Sequence, residues 1–189
     1  MRLGILGGTF NPVHVGHLFL GEEIRARLAY DLIIFVPANI PVHKTIESEA
    51  APRHRLRMLR LAVAPYPEFR VDDCELARGG SSYSIDTVQH LLGRYKVDGK
   101  PGLIIGDDLV EGFATWKEAE TLAAMTELIV ARRQSNERTP MPFPCTYVEN
   151  TLLPVSSSEI RKRLASGLPV RNLVPARVLR YIRRHRLYT

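Results

Sequence analysis

Cysteine is scarce in this chain: Cys74 and Cys145 are the whole complement in 189 residues. Two such residues have neither the number nor the close spacing of a disulfide framework or a zinc knuckle, so both read as free thiols. Long apolar runs are missing too. Segments 32–36 and 128–131 fall well short of the roughly 18 residues a membrane span needs, so a soluble protein with no membrane partner is expected. The N-terminus carries Gly4, Gly7, Gly8, Asn11 and Pro12 where a secretory signal needs an unbroken apolar stretch. Cytoplasmic residence is the expectation. Gly and Pro, at 13 each, show no low-complexity bias, and 45% hydrophobic with 24% charged residues is ordinary globular usage. The length suits one domain with a substantial core rather than two. A single domain over residues 1–189 is therefore expected, closed by a helical segment at about 155–189.

The net charge of +6 is unevenly spread, because residues 151–189 hold nine Lys/Arg and one acid, Glu159. A basic C-terminus fits nucleic acid, an anionic surface, a phosphorylated substrate or a solvated helix face. Over residues 175–186, Val178, Leu179 and Ile182 make a narrow apolar stripe with Arg177, Arg180, Arg183 and Arg184 outside it. That pattern favours the solvated face.

Hydrophobic periodicity predicts strands at 2–6, 32–36, 69–76, 103–105, 127–132 and 146–148. Helices are predicted at about 14–29, 53–64, 83–95, 117–124, 157–165 and 175–186, with a short one near Leu109. Leu18, Ile24 and Leu28 would line the inner face of the first helix, and Leu56, Leu59 and Val63 that of the second. Residues 38–50 and 134–144 read as polar loops. Strands alternating with helices at this spacing imply an α/β fold: a Rossmann-like, doubly wound parallel sheet with helices on both faces.

The segment Gly7-Gly8-Thr9-Phe10-Asn11-Pro12-Val13-His14-Val15-Gly16-His17 joins the first strand to the first helix. In a parallel sheet this is the ligand-binding edge. Glycines there let backbone N–H groups approach a phosphate, and the helix N-terminus adds positive potential. A Walker loop would need Gly-Lys-Ser/Thr and a dinucleotide fingerprint G-x-G-x-x-G, and neither is present. His14 and His17, three apart in a first helical turn, share a face. One His alone would read as a helix cap, whereas two with Gly16 between them behind a Gly-Gly-Thr loop make that the lesser reading, since both rings can reach toward the loop. Metal binding by the pair is disfavoured, since no Cys, Asp or Glu stands at ligand spacing. Ser156 and Glu159 have capping-box spacing, so a helix should start at 157. Free N–H groups, serines and Arg161 at that start also suit a polyphosphate.

These residues resemble the nucleotidyltransferase superfamily of adenylyl and cytidylyl transferases. The H-x-G-H tetrad beginning at His14, with the doubled Gly7-Gly8, resembles the bacterial nicotinate mononucleotide adenylyltransferase family. The likeness extends to Pro41-Val42-His43-Lys44, Ser82-Tyr83-Ser84-Ile85-Asp86-Thr87, Gly106-Asp107-Asp108 with Trp116, Ser156-Ser157-Ser158-Glu159-Ile160-Arg161, and Leu173-Val174-Pro175 before Val178 and Tyr181-Ile182. Asn11 replaces the usual Asp, Val42 a Pro, Ser158 a Thr, and Gly112 an aromatic side chain of several relatives. The resemblance implies AMP transfer from ATP to nicotinate mononucleotide, giving deamido-NAD and pyrophosphate, with Mg²⁺ carried mainly by the ATP oxygens. It implies His14, His17, Lys44 and Arg161 as the catalytic set. Gly7, Gly8, Thr9, Phe10, Gly106, Asp108, Ser156, Ser157 and Ser158 would join the two histidines and Arg161 around ATP. Asn39, Lys44, Thr87 and Trp116 would surround nicotinate mononucleotide, the Trp ring stacking on the pyridine. Taken alone, Lys44 is an ordinary surface lysine and Trp116 a core residue.

Two alternatives stand beside this reading. A related adenylyltransferase could use nicotinamide mononucleotide or phosphopantetheine. A nucleic-acid-binding module could use the basic C-terminus extended by Arg53, Arg55, Arg57 and Arg60. The second finds no helix-turn-helix, zinc-finger or RNA-binding aromatic signature, so no nucleic-acid partner is expected. Homo-oligomerisation is left open.

Overall fold

The computed structural model describes residues 1–41, 50–132 and 139–189. In chain order the elements are β1 (Leu3–Gly8), α1 (Val15–Leu28), β2 (Leu32–Pro37), β3 (Ile40–Pro41), α2 (Pro52–Val63), β4 (Phe69–Val71), α3 (Cys74–Arg78), β5 (Ser81–Ser82), α4 (Ser84–Arg94), β6 (Gly102–Gly106), α5 (Ala119–Met125), β7 (Glu127–Ala131), β8 (Cys145–Val148), α6 (Ser157–Ala165) and α7 (Ala176–Arg184). Single 3₁₀ turns occupy Asp107–Leu109 and Phe113–Thr115.

Six strands form one sheet in the order β4-β2-β1-β6-β7-β8, and every pairing in it is parallel. The chain runs outward from β1 to β2 and β4, then returns to place β6 on the other side of β1. The strand order reverses there, so the carboxyl ends of β1 and β6 flank the switch point at which such sheets bind ligands. Leu6 pairs with Ile104; continuing that register sets Gly8 opposite Gly106.

Strands buried on both faces must be apolar throughout, and their alternate side chains divide the core in two. Leu6, Ile33, Phe35, Ile104 and Ile129 pack against α1, α2, α6 and α7. Leu3, Ile5, Ile34, Val36, Leu103, Ile105, Leu128 and Val130 pack on the opposite face against α3, α4 and α5. The α/β fold expected from the sequence is the one observed. The C-terminal helix also behaves as its pattern predicts, with Val178, Leu179 and Ile182 buried and its arginines exposed.

Three details differ from expectation. The strand predicted over 69–76 ends at Val71, because the Asp72 carboxylate accepts the Cys74 N–H at 3.0 Å and turns the chain into α3. On α2 the inward row is Arg55, Met58, Leu59, Ala62 and Val63, while Leu56 is half-buried. Within the loop expected at 38–50, Ile40–Pro41 pairs in parallel with Ser81–Ser82 as a separate two-stranded sheet.

Candidate active site

The loop after β1 is shaped by its own residues before any neighbour acts on it. Phe10 adopts a left-handed conformation (φ 50°) and buries its ring, exposing only 2% of the residue. That ring lies under Gly8, where an added Cβ would stand 3.1 Å from it. His14 is the N-cap of α1 with extended backbone. Its N–H donates to Nδ1 of His17 at 3.2 Å, and the two imidazoles stack with centroids 3.7 Å apart and planes inclined by 35°. An accepting Nδ1 places the His17 proton on Nε2, so the ring is held in the tautomer with an Nε2–H donor. Phe10 supports the same ring edge-on at 4.9 Å. Gly16 leaves room for this arrangement, since a Cβ there would stand 2.8 Å from Val155 Cγ1 and 3.1 Å from the His14 ring.

Other elements clamp the loop from behind. Arg161, on α6, donates from Nη1 to the Asn11 carbonyl at 2.9 Å and from Nη2 to Ser158 Oγ at 3.3 Å. Ser157 Oγ donates to the Pro12 carbonyl at 2.9 Å. Ser156 caps α6 by accepting the Glu159 N–H at 3.1 Å, the contact its spacing predicts. The N-terminus of α6 thus faces the N-terminus of α1 across the Asn11-Pro12 segment. Two helix starts and a guanidinium gathered at one loop favour a polyanion.

Two supports have no precedent in the sequence reading. Arg55 is fully buried, and its guanidinium donates to the carbonyls of Thr9 (2.9 Å), Ala38 (2.7 Å) and Asn39 (3.3 Å). It fastens the loop after β1 to the end of β2, so it does not extend a basic surface with its neighbours on α2. Tyr188, near the C-terminus, donates its hydroxyl to Asn11 Oδ1 at 2.7 Å. The one available signal for Arg55 was its register with Leu59 and Ala62; for Tyr188 there was none.

The residues expected around the second substrate are spread over other elements. Asn39 follows β2; its N–H donates to Ser82 Oγ at 2.8 Å and its Nδ2 to the Gly80 carbonyl at 2.9 Å. Thr87 is buried, and its hydroxyl donates to Glu75 Oε1 at 2.6 Å. Burial pushes the Glu75 carboxyl up from its ordinary range, against hydrogen bonds from Ser82 and Thr87 and the charge of Arg78. Trp116 is half-buried against Phe113 at 4.9 Å. Gly106 ends β6, and Asp108 sits half-buried in the turn that follows. Hydrogen bonds and ring contacts bring Gly8, Thr9, Phe10, His14, His17, Ser157, Ser158 and Arg161 into one assembly with Asn39 joined through Arg55. Asn39 in turn meets Ser82, which with Thr87 hydrogen-bonds Glu75, so Thr87 belongs to the same network. Lys44 lies outside the described residues.

Comparison with known proteins agrees with this architecture. The Cytidylyltransferase-like family model matches residues 5–163. Probable nicotinate-nucleotide adenylyltransferases of Borrelia garinii subsp. bavariensis and Borreliella afzelii are 43% and 45% identical over 188 residues, covering all of this chain and 95% and 97% of theirs. The fold is similar to that of Plasmodium falciparum nicotinic acid mononucleotide adenylyltransferase complexed with NaAD. There the TM-score is 0.76 at 19% identity, over 99% of this chain and 97% of that one. The chain belongs to the cytidylyltransferase-like family and, within it, to the nicotinate-nucleotide adenylyltransferases. Among the described residues no helix is long and apolar enough to cross a membrane.

Proposed function

We propose that the chain acts as one catalytic domain transferring AMP from ATP to nicotinate mononucleotide, with deamido-NAD and pyrophosphate as products. The carrying observation is the stacked His14–His17 pair, set at the switch point of the sheet and backed by Arg161 and Ser157. An oxygen of the nucleotide 5′-phosphate attacks the α-phosphorus of ATP. The bond to the bridging oxygen breaks, and pyrophosphate leaves with that electron pair. The attacking group is already an anion, so no side-chain nucleophile is needed and catalysis is alignment with charge stabilisation.

In this reading the His17 Nε2–H contacts the phosphate oxygens as negative charge gathers on them, with His14 beside it. Gly7, Gly8 and Thr9 offer the loop backbone, and Arg161 and Lys44 offset the charge of the phosphates and departing pyrophosphate. Gly106, Asp108 and Ser156 to Ser158 would border ATP; Asn39, Thr87 and Trp116 would border the nicotinate nucleotide. The loop's donors are amide, hydroxyl and imidazole groups, and Asn11 Oδ1 is already held by Tyr188 and the Ala50 N–H. That set fits Mg²⁺ carried in on triphosphate oxygens and water rather than a protein cage. When bound, the ion neutralises phosphate charge.

Pyrophosphate release from ATP and Mg²⁺, measured in parallel with nicotinate mononucleotide, nicotinamide mononucleotide and phosphopantetheine, tests the reading. Turnover with the nicotinate substrate is expected to predominate. Turnover confined to either other acceptor, or absent with all three from folded protein, overturns it.

A further inference from the structure

On the face of the sheet opposite α1 and α6, three side chains converge that the reaction does not use. Asp72 follows β4, Cys74 opens α3 and His90 lies on α4. Their ligand atoms all lie within 4.8 Å of one another. His90 Nε2 is 3.6 Å from Asp72 Oδ1, and the Cys74 thiol hydrogen-bonds the same carboxylate. Ligands of a tetrahedral zinc, bonded at about 2.0–2.3 Å, stand about 3.3–3.8 Å apart from one another. The group is therefore close to a zinc-ligand spacing before any ion is added.

The surroundings match that chemistry. Asp72 is buried (2% exposed) and Cys74 nearly so (7%), while the His90 side chain reaches solvent. A cation thus has buried ligands and an open approach. Arg94 Nη1 holds the other carboxylate oxygen, Oδ2, at 3.1 Å. This is the outer contact that ordinarily orients a ligating carboxylate, and it turns Oδ1 toward the thiol and imidazole. Burial, with the Asp72 charge beside it, pushes the Cys74 thiol up to about 12. Coordination of the sulfur by a cation displaces the thiol proton.

We propose that Asp72, Cys74 and His90 form a binding site for a borderline-soft divalent cation of the zinc type, separate from the Mg²⁺ that accompanies ATP. Sulfur and imidazole ligands select against Mg²⁺. On binding, the metal gains bonds from the Asp72 carboxylate, the neutral His90 imidazole and the Cys74 thiolate, and the thiol proton passes to solvent. One dication and two anionic ligands leave the site neutral, with water in the fourth position. The bound ion ties the end of β4 to α3 and α4.

The test uses the full chain, stripped of metal by chelation and kept reduced, titrated with Co²⁺ and then Zn²⁺. A thiolate-to-cobalt charge-transfer band is expected to saturate at one equivalent and to vanish as Zn²⁺ displaces cobalt, following the Irving–Williams order. Cys74→Ser should abolish the band, Cys145→Ser should leave it intact, and His90→Ala should weaken binding about tenfold or more. His90 is exposed, so its variant decides the matter even where Cys74→Ser fails to fold. No band in the wild type, a band that survives Cys74→Ser, or unchanged affinity in His90→Ala would each overturn the site.

Discussion

His17 and Arg55 are both nitrogen bases near one loop, yet their surroundings give them opposite tasks. His17 is half-buried, with Nδ1 committed to the His14 N–H, so its ring is held in a fixed orientation. His17→Ala is expected to lower kcat about 10²–10³-fold, as loss of an oriented donor does, while the urea midpoint stays close to wild type. Arg55 spends its charge on three backbone carbonyls inside the protein. Arg55→Ala should cost about 3–5 kcal/mol, from unsatisfied carbonyls and the cavity left behind, seen as a lowered urea midpoint. Arg55→Lys should recover little of it, because a point ammonium cannot reproduce the planar fork. The histidine pair was legible in the sequence because its chemistry is local: two rings three residues apart on one helical turn. Arg55 was not, since its partners at Thr9, Ala38 and Asn39 are distant in sequence and an arginine on a helix reads by default as a solvated charge.

Among the elements, α1 and α6 do most to shape the site, and both start where side chains said they would. Ser156 takes the Glu159 N–H, and His14 stands at the N-cap position of α1. The start of α1 also depends on Gly16, which leaves no room for a Cβ between Val155 and the His14 ring. Gly16→Ala should therefore act on the imidazoles more than on the fold. A displacement of about 1 Å at the reacting groups costs up to about 10² in rate, so kcat should fall by more than tenfold with a thermal midpoint lowered by only a few degrees. The strand predicted over 69–76 is the element the sequence misjudged. Its polar alternation suited a half-exposed strand, but Asp72 turns back onto the Cys74 N–H and starts a helix. A side chain bonding its own backbone outcompetes a ladder that only one neighbouring strand could supply.

The C-terminal segment closes over one face of the sheet. α7 buries Val178, Leu179 and Ile182, and its Tyr181 hydroxyl lies 2.8 Å from His54 Nδ1 on α2. Burial, with Arg53 and His185 nearby, holds the His54 imidazole below its ordinary value. A base with a depressed folded pKa favours the folded state fully above its unfolded value of about 6.5. That contribution is lost as pH falls through the lower folded value. The thermal midpoint should thus decline between pH 7.5 and pH 5.5, and His54→Gln should show a smaller decline across the same interval. The Tyr188 contact to Asn11 makes the tail part of the site's support as well as a cover.

The sequence by itself determined the parallel α/β sheet, the glycine-rich loop between β1 and α1 and the capped start of α6. Each rests on short-range regularity: apolar runs buried on both faces, glycines before a helix start, a serine three residues ahead of a glutamate. The tertiary structure alone decided that Arg55 fastens the loop from inside, that Tyr188 reaches it from the other end of the chain, and that Cys74 meets Asp72 and His90 on the opposite face. Those contacts join residues on separate elements, whose meeting is fixed by sheet order and helix packing. Periodicity carries the direction in which a side chain points, but not what stands opposite it.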